Sequence, residues 1–246
     1  MRLSSPFLLR TFDPPIMETY GKIVVGVERL GKRILVALQD DLYLIFHLMI
    51  AGRFRWHDAG ARVPGKVGLG AFDFSSGTLV MIEASAKKRA SLHVVHGAAK
   101  LAEHNPGGLE VLECHSQSFA ARLRSENHTL KRALTSPRLF SGIGNAYSDE
   151  ILFDAQIYPF RKRKSLSDEE LQRILDSSRS VVEDAIPILR KRMADNIHVK
   201  VRDFLKVHNK GGDPCPRCGH QISEITANKR ITSYCRQCQP GMLLRN

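Results

Sequence analysis

The chain has 246 residues, of which 43% are hydrophobic, so it can bury a substantial core, in two domains at this length. Its 37 lysine and arginine residues against 25 aspartate and glutamate residues give a formal net charge of +12, which indicates a polyanionic partner, nucleic acid before an anionic membrane surface. The longest apolar run, Leu42 to Ala51, is half a membrane span, and the N-terminal apolar run is too short for a signal peptide. The sequence therefore predicts a soluble cytoplasmic protein, and secreted or membrane-spanning classes are excluded.

Residues 22–96 contain β-rich runs separated by turn signals such as Gln39-Asp-Asp41 and Ser75-Ser-Gly77. The runs begin at Lys22, Arg33, Leu42, Gly52, Gly77 and Ser91. Short strands at this spacing predict an antiparallel sandwich or barrel. Asn105-Pro-Gly-Gly108 marks its end, so we expect an N-terminal domain at 1–104.

The middle of the chain, 109–208, is predicted to be a helical domain. Helical patterns cover 116–127 and 128–134, then resume at Asn145 and stop near Pro159. Ser167-Asp-Glu-Glu170 is a capping box that opens a further helix, which Pro187 should kink or end. That helix is expected to bury Leu171, Ile174, Leu175, Val181, Val182 and Ile186.

A glycine-rich segment, Ser141-Gly-Ile-Gly-Asn145, lies immediately before one of these helices. Free backbone N–H groups and the positive end of the helix dipole would make it an anion site suited to one phosphate. A purely structural role is the alternative, because glycine-rich helix starts are common.

Two Cys-x-x-Cys pairs, Cys215/Cys218 and Cys235/Cys238, are separated by sixteen residues, a spacing that can bring four thiolates onto one Zn²⁺. Four cysteine ligands leave no open position, so the metal is expected to be structural. Two disulfides are the alternative, but nothing in the sequence indicates an oxidising compartment. Cys114 has no partner motif and reads as an ordinary small residue.

The segment between the cysteine pairs reads as a hairpin with an Ala227-Asn-Lys-Arg230 tip, within a zinc-finger domain predicted at 209–246. Gly219 and Gly241 suit the turns that such a module needs. The tip presents Lys229 and Arg230 where a cation could meet phosphate, and a solvated turn is the alternative.

The order of a β-sandwich, helices with Ser141-Gly-Ile-Gly-Asn-Ala-Tyr-Ser-Asp-Glu150, and a four-cysteine hairpin resembles the formamidopyrimidine-DNA glycosylase and endonuclease VIII family of base-excision repair enzymes. The resemblance runs from about Ser5 to Gln239 and is most specific in 141–159 and 213–239. It implies an α+β fold: an antiparallel β-sandwich truncated at its start, a helix-two-turn-helix domain, and a C-terminal zinc-finger hairpin. It also implies a monomer whose partner is double-stranded DNA with a damaged base or an abasic site.

Three basic or polar residues match family positions that hold DNA phosphates. Lys32 resembles the lysine of the sheet that contacts phosphate around the lesion, Asn145 the asparagine of the helix-two-turn-helix motif, and Arg230 the arginine of the zinc finger. Ile50, beside Met49, stands where the family places a methionine that fills the space left by the extruded base; core packing is the alternative. The family's Arg-x-Phe wedge has no counterpart between Arg89 and Gly97.

The catalytic residues of the family have no match in this chain. Family members begin, once the initiator methionine is removed, with Pro-Glu: the proline amine attacks the sugar C1′ and the glutamate moves protons. This chain begins Met1-Arg2-Leu3, and Pro6 cannot substitute because its nitrogen is an acylated amide. No catalytic residue is assigned, and we expect the chain as given to bind abasic-site DNA but to cleave it poorly.

Three functions are therefore compared. The first is a DNA glycosylase and AP lyase of base-excision repair, and the second a catalytically inactive protein that binds damaged DNA. The third is an RNA- or ribosome-associated zinc-ribbon protein, which the long sandwich and helical domain disfavour.

Overall fold

The computed structural model describes residues 1–162, 165–194 and 196–241. These residues form two compact units. The first comprises Met1–Asn105 with the described residues of Arg192–Lys200, and the second comprises Pro106–Lys191 with the described residues from Val201 onward. The zinc-finger segment thus belongs to the second unit, and its predicted separation as a third domain stays a prediction.

Strands make up most of the first unit. In chain order the elements are β1 (Arg2–Leu3), a 3-10 helix (Ile16–Thr19), β2 (Val24–Leu30), β3 (Arg33–Leu38), β4 (Leu42–His47), β5 (Gly52–His57), β6 (Gly68–Phe74), β7 (Gly77–Glu83), β8 (Ser91–His96) and α1 (Ala98–Glu103). One sheet has the order β1-β6-β7-β5 and the other β2-β3-β4-β8, with antiparallel neighbours in both. The predicted antiparallel sandwich is confirmed.

Apolar side chains from both sheets form the core of this unit, as alternation along each strand requires. Phe46 lies at its centre, edge-on to Phe54 at 5.1 Å and to Phe72 at 5.0 Å between ring centroids. These edge-to-face pairs connect β4 of one sheet with β5 and β6 of the other, and so hold the two sheets together.

Strand β6 was absent from the predicted strands because its glycines interrupt the apolar pattern. Its register shifts between Gly68 and Gly70, as in a β-bulge. A Cβ at Gly68 would lie 2.2 Å from the Pro64 carbonyl oxygen, so close backbone approach explains the glycine.

The second unit is helical at its start. Its helices are α2 (Ser116–Arg124), α3 (Leu130–Leu134), α4 (Asn145–Asp154) and α5 (Asp168–Met193). Their apolar faces share one core, with fully buried side chains at Leu123, Leu130, Leu134, Phe140, Ile151, Leu152 and Ile174. The predicted helical domain is confirmed, with α2 and α3 shorter than the sequence pattern indicated.

Helix α5 begins with the predicted capping box. The Glu170 N–H donates to Ser167 Oγ at 3.3 Å, and the Ser167 N–H donates to Glu170 Oε2 at 3.0 Å. Leu166 and Leu171 are both buried in the core, as a hydrophobic staple requires. Pro187 was expected to kink or end the helix; it does not end it, because α5 continues to Met193, and the kink stays a prediction.

The burial predicted along α5 holds for its first half. Leu171, Ile174 and Leu175 are buried, whereas Val181, Val182 and Ile186 are half-buried. The second unit ends in a two-stranded antiparallel hairpin, β9 (Ile222–Ala227) and β10 (Arg230–Cys235), as predicted. Within the described residues, no helix is both long and apolar enough to cross a membrane.

Candidate metal centre and nucleic-acid interface

The four predicted cysteines converge on one point. Cys215 Sγ lies 3.8 Å from Cys238 Sγ, Cys218 Sγ lies 3.5 Å from Cys235 Sγ, and all four sulfurs are within 4.8 Å of one another. A tetrahedral Zn²⁺ with Zn–S bonds of about 2.3 Å places its sulfurs about 3.8 Å apart. The donor set and its spacing therefore fit one structural zinc ion, and none of the four cysteines forms a disulfide.

Backbone turns shape the two knuckles. In the first, the Gly219 N–H donates to the Cys215 carbonyl at 2.9 Å, and Gly219 has φ of 76°, which glycine adopts without strain. In the second, the Gln239 N–H donates to the Cys235 carbonyl at 2.9 Å. Gly241 has a different role from the predicted one. A Cβ at this position would lie 2.5 Å from the Tyr158 ring, so any side chain there would clash with the ring.

The tip of the hairpin is a two-residue turn. Ala227 pairs with Arg230, and both residues between them, Asn228 and Lys229, have positive φ, as a type I′ turn requires. Arg230 is exposed at the first position of β10. The hairpin and the metal centre at its base thus hold a cation at a defined place.

One face of α4 carries the zinc-finger hairpin. Asn145, Asp149 and Phe153 are spaced i, i+4, i+8, so their side chains lie in one row. Asn145 Nδ2 donates to the Ile231 carbonyl at 2.9 Å, and Asp149 Oδ2 accepts from the Ser233 N–H at 3.2 Å. Phe153 packs with Cys215, Ile222 and Cys235 in a small core of its own.

The first turn of α4 has no side-chain cap. The residue before it, Gly144, supplies no side-chain cap, and a Cβ at Gly144 would meet nothing within 4 Å. The N–H groups of a helix's first turn have no acceptor within the helix. Backbone donors and the positive end of the helix dipole therefore lie together beside Asn145, which suits an anion.

Asn145 itself has a divided role. One N–H of its side-chain amide is bonded to the Ile231 carbonyl, and its Oδ1 is buried and has no hydrogen-bond partner among the described residues. The amide nitrogen carries two hydrogens, so a second donor remains for a phosphate oxygen. The side chain can therefore hold the hairpin and a phosphate at the same time.

A buried ion pair supports this junction and was absent from the sequence analysis. Lys131 Nζ lies 2.6 Å from Asp149 Oδ1 and also donates to the Ile231 carbonyl. Burial lowers the pKa of Lys131, and the nearby Arg230 lowers it further, while Asp149 opposes both. Asp149 Oδ2 accepts a third bond, from His208 Nδ1 at 2.8 Å.

Lys32 lies in the first unit, at the tight turn between β2 and β3. Gly31, which has φ of 61°, and the exposed Lys32 form this turn. Burial lowers the pKa of His47, and the charges of Arg33 and Lys32 nearby lower it further. Two positive charges, Arg33 and Lys32, therefore lie near His47 at this end of the sheet.

Ile50 lies at an exposed loop between β4 and β5, and 74% of it is accessible to solvent. The neighbouring Met49 is also exposed and has φ of 53°. The loop closes with the Gly52 N–H on the Leu48 carbonyl at 2.9 Å, where a Cβ would approach that oxygen to 2.4 Å. The core-packing alternative for Ile50 is wrong, because its side chain projects into solvent.

Three family models match the chain. The model for the formamidopyrimidine-DNA glycosylase N-terminal domain matches residues 6–93, the model for its H2TH domain matches 109–196, and the model for a zinc finger found in FPG and IleRS matches 212–241. Together they cover the sandwich, the helices and the four-cysteine hairpin.

Curated relatives match most of the chain. A formamidopyrimidine-DNA glycosylase of Listeria monocytogenes serotype 4b is 30% identical over 228 residues, covering 89% of this chain and 82% of the relative. One of Desulfitobacterium hafniense is 32% identical over 239 residues, covering 90% and 85%.

Solved structures give the same result. The Lactococcus lactis Fpg in complex with DNA containing an abasic site has a TM-score of 0.87 and 26% identity, covering 98% of this chain and 91% of that one. The same protein with FAPY-dG containing DNA has the same TM-score and identity. The chain therefore belongs to the formamidopyrimidine-DNA glycosylase family.

Proposed function

We propose that this chain is a DNA glycosylase of base-excision repair. By family activity it binds double-stranded DNA at a damaged base or an abasic site, flips out and removes an oxidised base, and nicks the abasic strand. The weak cleavage expected from the unmatched Pro-Glu stays a prediction. The observation that carries the proposal is the bond from Asn145 Nδ2 to the Ile231 carbonyl. This bond ties the residue after the exposed Arg230 to the first residue of α4, which supports Arg230 and the uncapped first turn as two neighbouring phosphate donors.

Each proposed DNA contact has a distinct task. Arg230 and the amide of Asn145 hold backbone phosphates, and Lys32 holds a phosphate from the end of the sandwich near His47. Ile50 enters the base stack, because an exposed apolar side chain on a tight loop can fill the space that an extruded base leaves. A net charge of +12 attracts the duplex over a longer range.

The reaction requires an unprotonated amine that attacks the sugar C1′ and an acid that opens the ring. Lys131 is excluded as that amine, because Asp149 Oδ1 and the Ile231 carbonyl hold its Nζ as a hydrogen-bond donor. Lys32 holds phosphate in this proposal and so remains charged and non-nucleophilic. No nucleophile is assigned among the described residues.

Binding is tested by titrating two duplexes of one sequence, one of them with a stable abasic-site analogue. We expect at least about tenfold tighter binding to the abasic duplex, since extruding a nucleotide costs least where no base is stacked. Equal affinity for the two duplexes would contradict damage recognition. Tighter binding to an RNA stem than to either duplex would instead support the zinc-ribbon hypothesis.

Catalysis is tested on a duplex with one oxidised purine. Base release above the protein-free rate supports the glycosylase. Damage-selective binding without release at any protein concentration would identify the chain as the inactive binding protein. The bacterial relatives and the DNA substrate favour action at the nucleoid in the cytoplasm. The monomeric state that the resemblance implies stays a prediction.

A further inference from the structure

The central residue of the row on α4 is an aspartate that is buried from solvent. Asp149 is 1% exposed and is surrounded by donors from three separate segments. Lys131 of α3 donates at 2.6 Å, His208 of the segment before the first knuckle lies at 2.8 Å, and the Ser233 N–H of β10 donates at 3.2 Å. Burying a carboxylate is costly unless it is paired and fully hydrogen-bonded, and here it is both.

These bonds end beside Arg230. The Ile231 carbonyl, one residue after Arg230, accepts from both Lys131 Nζ and Asn145 Nδ2. Ser233, three residues after Arg230, is fixed through its N–H to Asp149. Two points of the β10 backbone next to the exposed arginine are therefore tied to α3 and α4, in addition to the metal at the far end of the hairpin.

We propose that Asp149 is a positioning residue for DNA recognition: with Lys131 it sets where the zinc hairpin presents Arg230. The inference rests on the proposed function, because it requires Arg230 to hold a DNA phosphate. The zinc ion fixes the base of the hairpin, and Asp149 fixes the start of β10, next to the tip. A hairpin that keeps its zinc but loses these bonds still folds, but Arg230 no longer meets the phosphate in one geometry.

Asp149→Asn separates position from metal binding. The asparagine amide has the size of the carboxylate but no charge. Its NH₂ group, a hydrogen-bond donor, replaces one accepting oxygen and so faces another donor. Lys131 then lacks its counter-ion in a buried site. Lys131→Met is the second variant: it removes the bonds to Asp149 and to the Ile231 carbonyl, and leaves Asp149 with His208 and Ser233.

The experiment measures zinc content, affinity for the abasic duplex, and the dependence of that affinity on salt. We expect Asp149→Asn and Lys131→Met to keep one zinc and to bind about tenfold more weakly, as Arg230→Ala does, since each loses one charge-assisted contact. The slope of log K against log[salt] falls by about 0.9 in each, the value for one phosphate contact. Combining Asp149→Asn with Arg230→Ala causes no further loss.

Ser178→Ala is the control. Ser178 is fully buried in α5 and bonds to the Ile174 carbonyl at 2.6 Å, away from the hairpin. We expect it to lower the unfolding temperature without changing affinity or salt slope, which separates lost stability from lost positioning.

Two outcomes overturn the inference while leaving the Arg230 contact intact. One is parent-like affinity in both Asp149→Asn and Lys131→Met when Arg230→Ala binds weakly. The other is a multiplicative loss in the Asp149→Asn/Arg230→Ala double variant, which would show that the two residues act independently. If Asp149→Asn fails to retain zinc, Lys131→Met and its double variant with Arg230→Ala decide. Parent-like binding by Arg230→Ala overturns the Arg230 contact and this inference together.

Discussion

Two isoleucines five residues apart show how exposure assigns roles to residues of the same type. Ile45 of β4 is fully buried, whereas Ile50, in the loop that follows, is 74% exposed. Sequence pattern alone left both core packing and base-stack insertion open for Ile50. The fold excludes core packing, because the loop after His47 turns the chain out of the sheet before β5 begins at Gly52, and base-stack insertion stays a prediction.

We therefore predict that Ile50→Ala leaves the unfolding free energy within about 0.5 kcal/mol of the parent, since no buried contact is lost. The same variant should weaken binding to the abasic duplex more than binding to the undamaged duplex, since only the former has a gap to fill. Ile45→Ala is the matched control and should cost about 2–5 kcal/mol. A large loss of stability in Ile50→Ala would show that the Ile50 side chain packs in the core.

The histidines at the outer face of the second sheet make stability depend on pH. Burial, the edge-on His104 ring at 4.8 Å, and the charges of Arg33 and Arg10 lower the pKa of His93 to about 4. The unfolded chain, with a histidine pKa of about 6.5, binds more protons than the folded chain between these values. The stability that neutral His93 supplies is therefore present above about pH 6.5 and is lost as the pH falls towards 4.

We predict that His93→Gln narrows the difference between unfolding free energies measured in urea at pH 7 and at pH 4.5. The exposed His96 on the same strand is the control, and His96→Gln should keep the pH dependence of the parent. Carboxylates contribute to acid sensitivity in all three proteins, so the comparison isolates His93. An unchanged difference in His93→Gln would contradict the expectation.

At the scale of elements, prediction from the sequence succeeded where the local side-chain pattern itself determines the backbone structure. The six predicted strands of the sandwich and the capping box of α5 were found because local residues determine them. Strand β6 was not predicted from the sequence. Its bulge and its Gly68 are needed because neighbouring backbone approaches closely, which the sequence of the strand itself does not show. Helix α5 also continues past Pro187, against the local tendency of proline to end a helix.

The zinc module is the element whose loss is most readily tested. We predict that Cys235→Ser, which removes a fully buried ligand, loses stoichiometric zinc and lowers DNA affinity by about tenfold or more, because the hairpin no longer forms a fixed base for Arg230. Metal analysis and titration of the abasic duplex measure the two effects. Cys114→Ser is the control: Cys114 lies outside the cluster, so zinc and affinity should stay at parent values. If metal-free Cys235→Ser protein binds the abasic duplex as tightly as the parent, zinc is not required for DNA recognition.

For the whole molecule, the residues of the site divide into those that carry a motif and those that do not. The four cysteines were predicted because their spacing in sequence reports their geometry in space. The Asp149 network was not, because its partners lie 18, 59 and 84 residues away in the chain and none of them has a distinctive spacing. Buried polar partners of this kind depend on packing between segments, which a single sequence does not display.

Net charge acts at the same scale, and its effect can be separated from specific contacts by salt. Each phosphate neutralised by a lysine or arginine releases counterions and contributes about −0.9 to the slope of log K against log[salt] on duplex DNA. We predict that Lys32→Ala and Arg230→Ala each reduce the magnitude of this slope by about 0.9, and that the double variant reduces it by about twice that amount. Lys100→Ala removes the same unit charge from an exposed residue that is paired with Glu103 at 3.0 Å, and it should leave the slope near the parent value. Equal slopes in Lys32→Ala, Arg230→Ala and Lys100→Ala would show that the salt dependence of the affinity reflects overall charge alone. Specific phosphate contacts by Lys32 and Arg230 would then be contradicted.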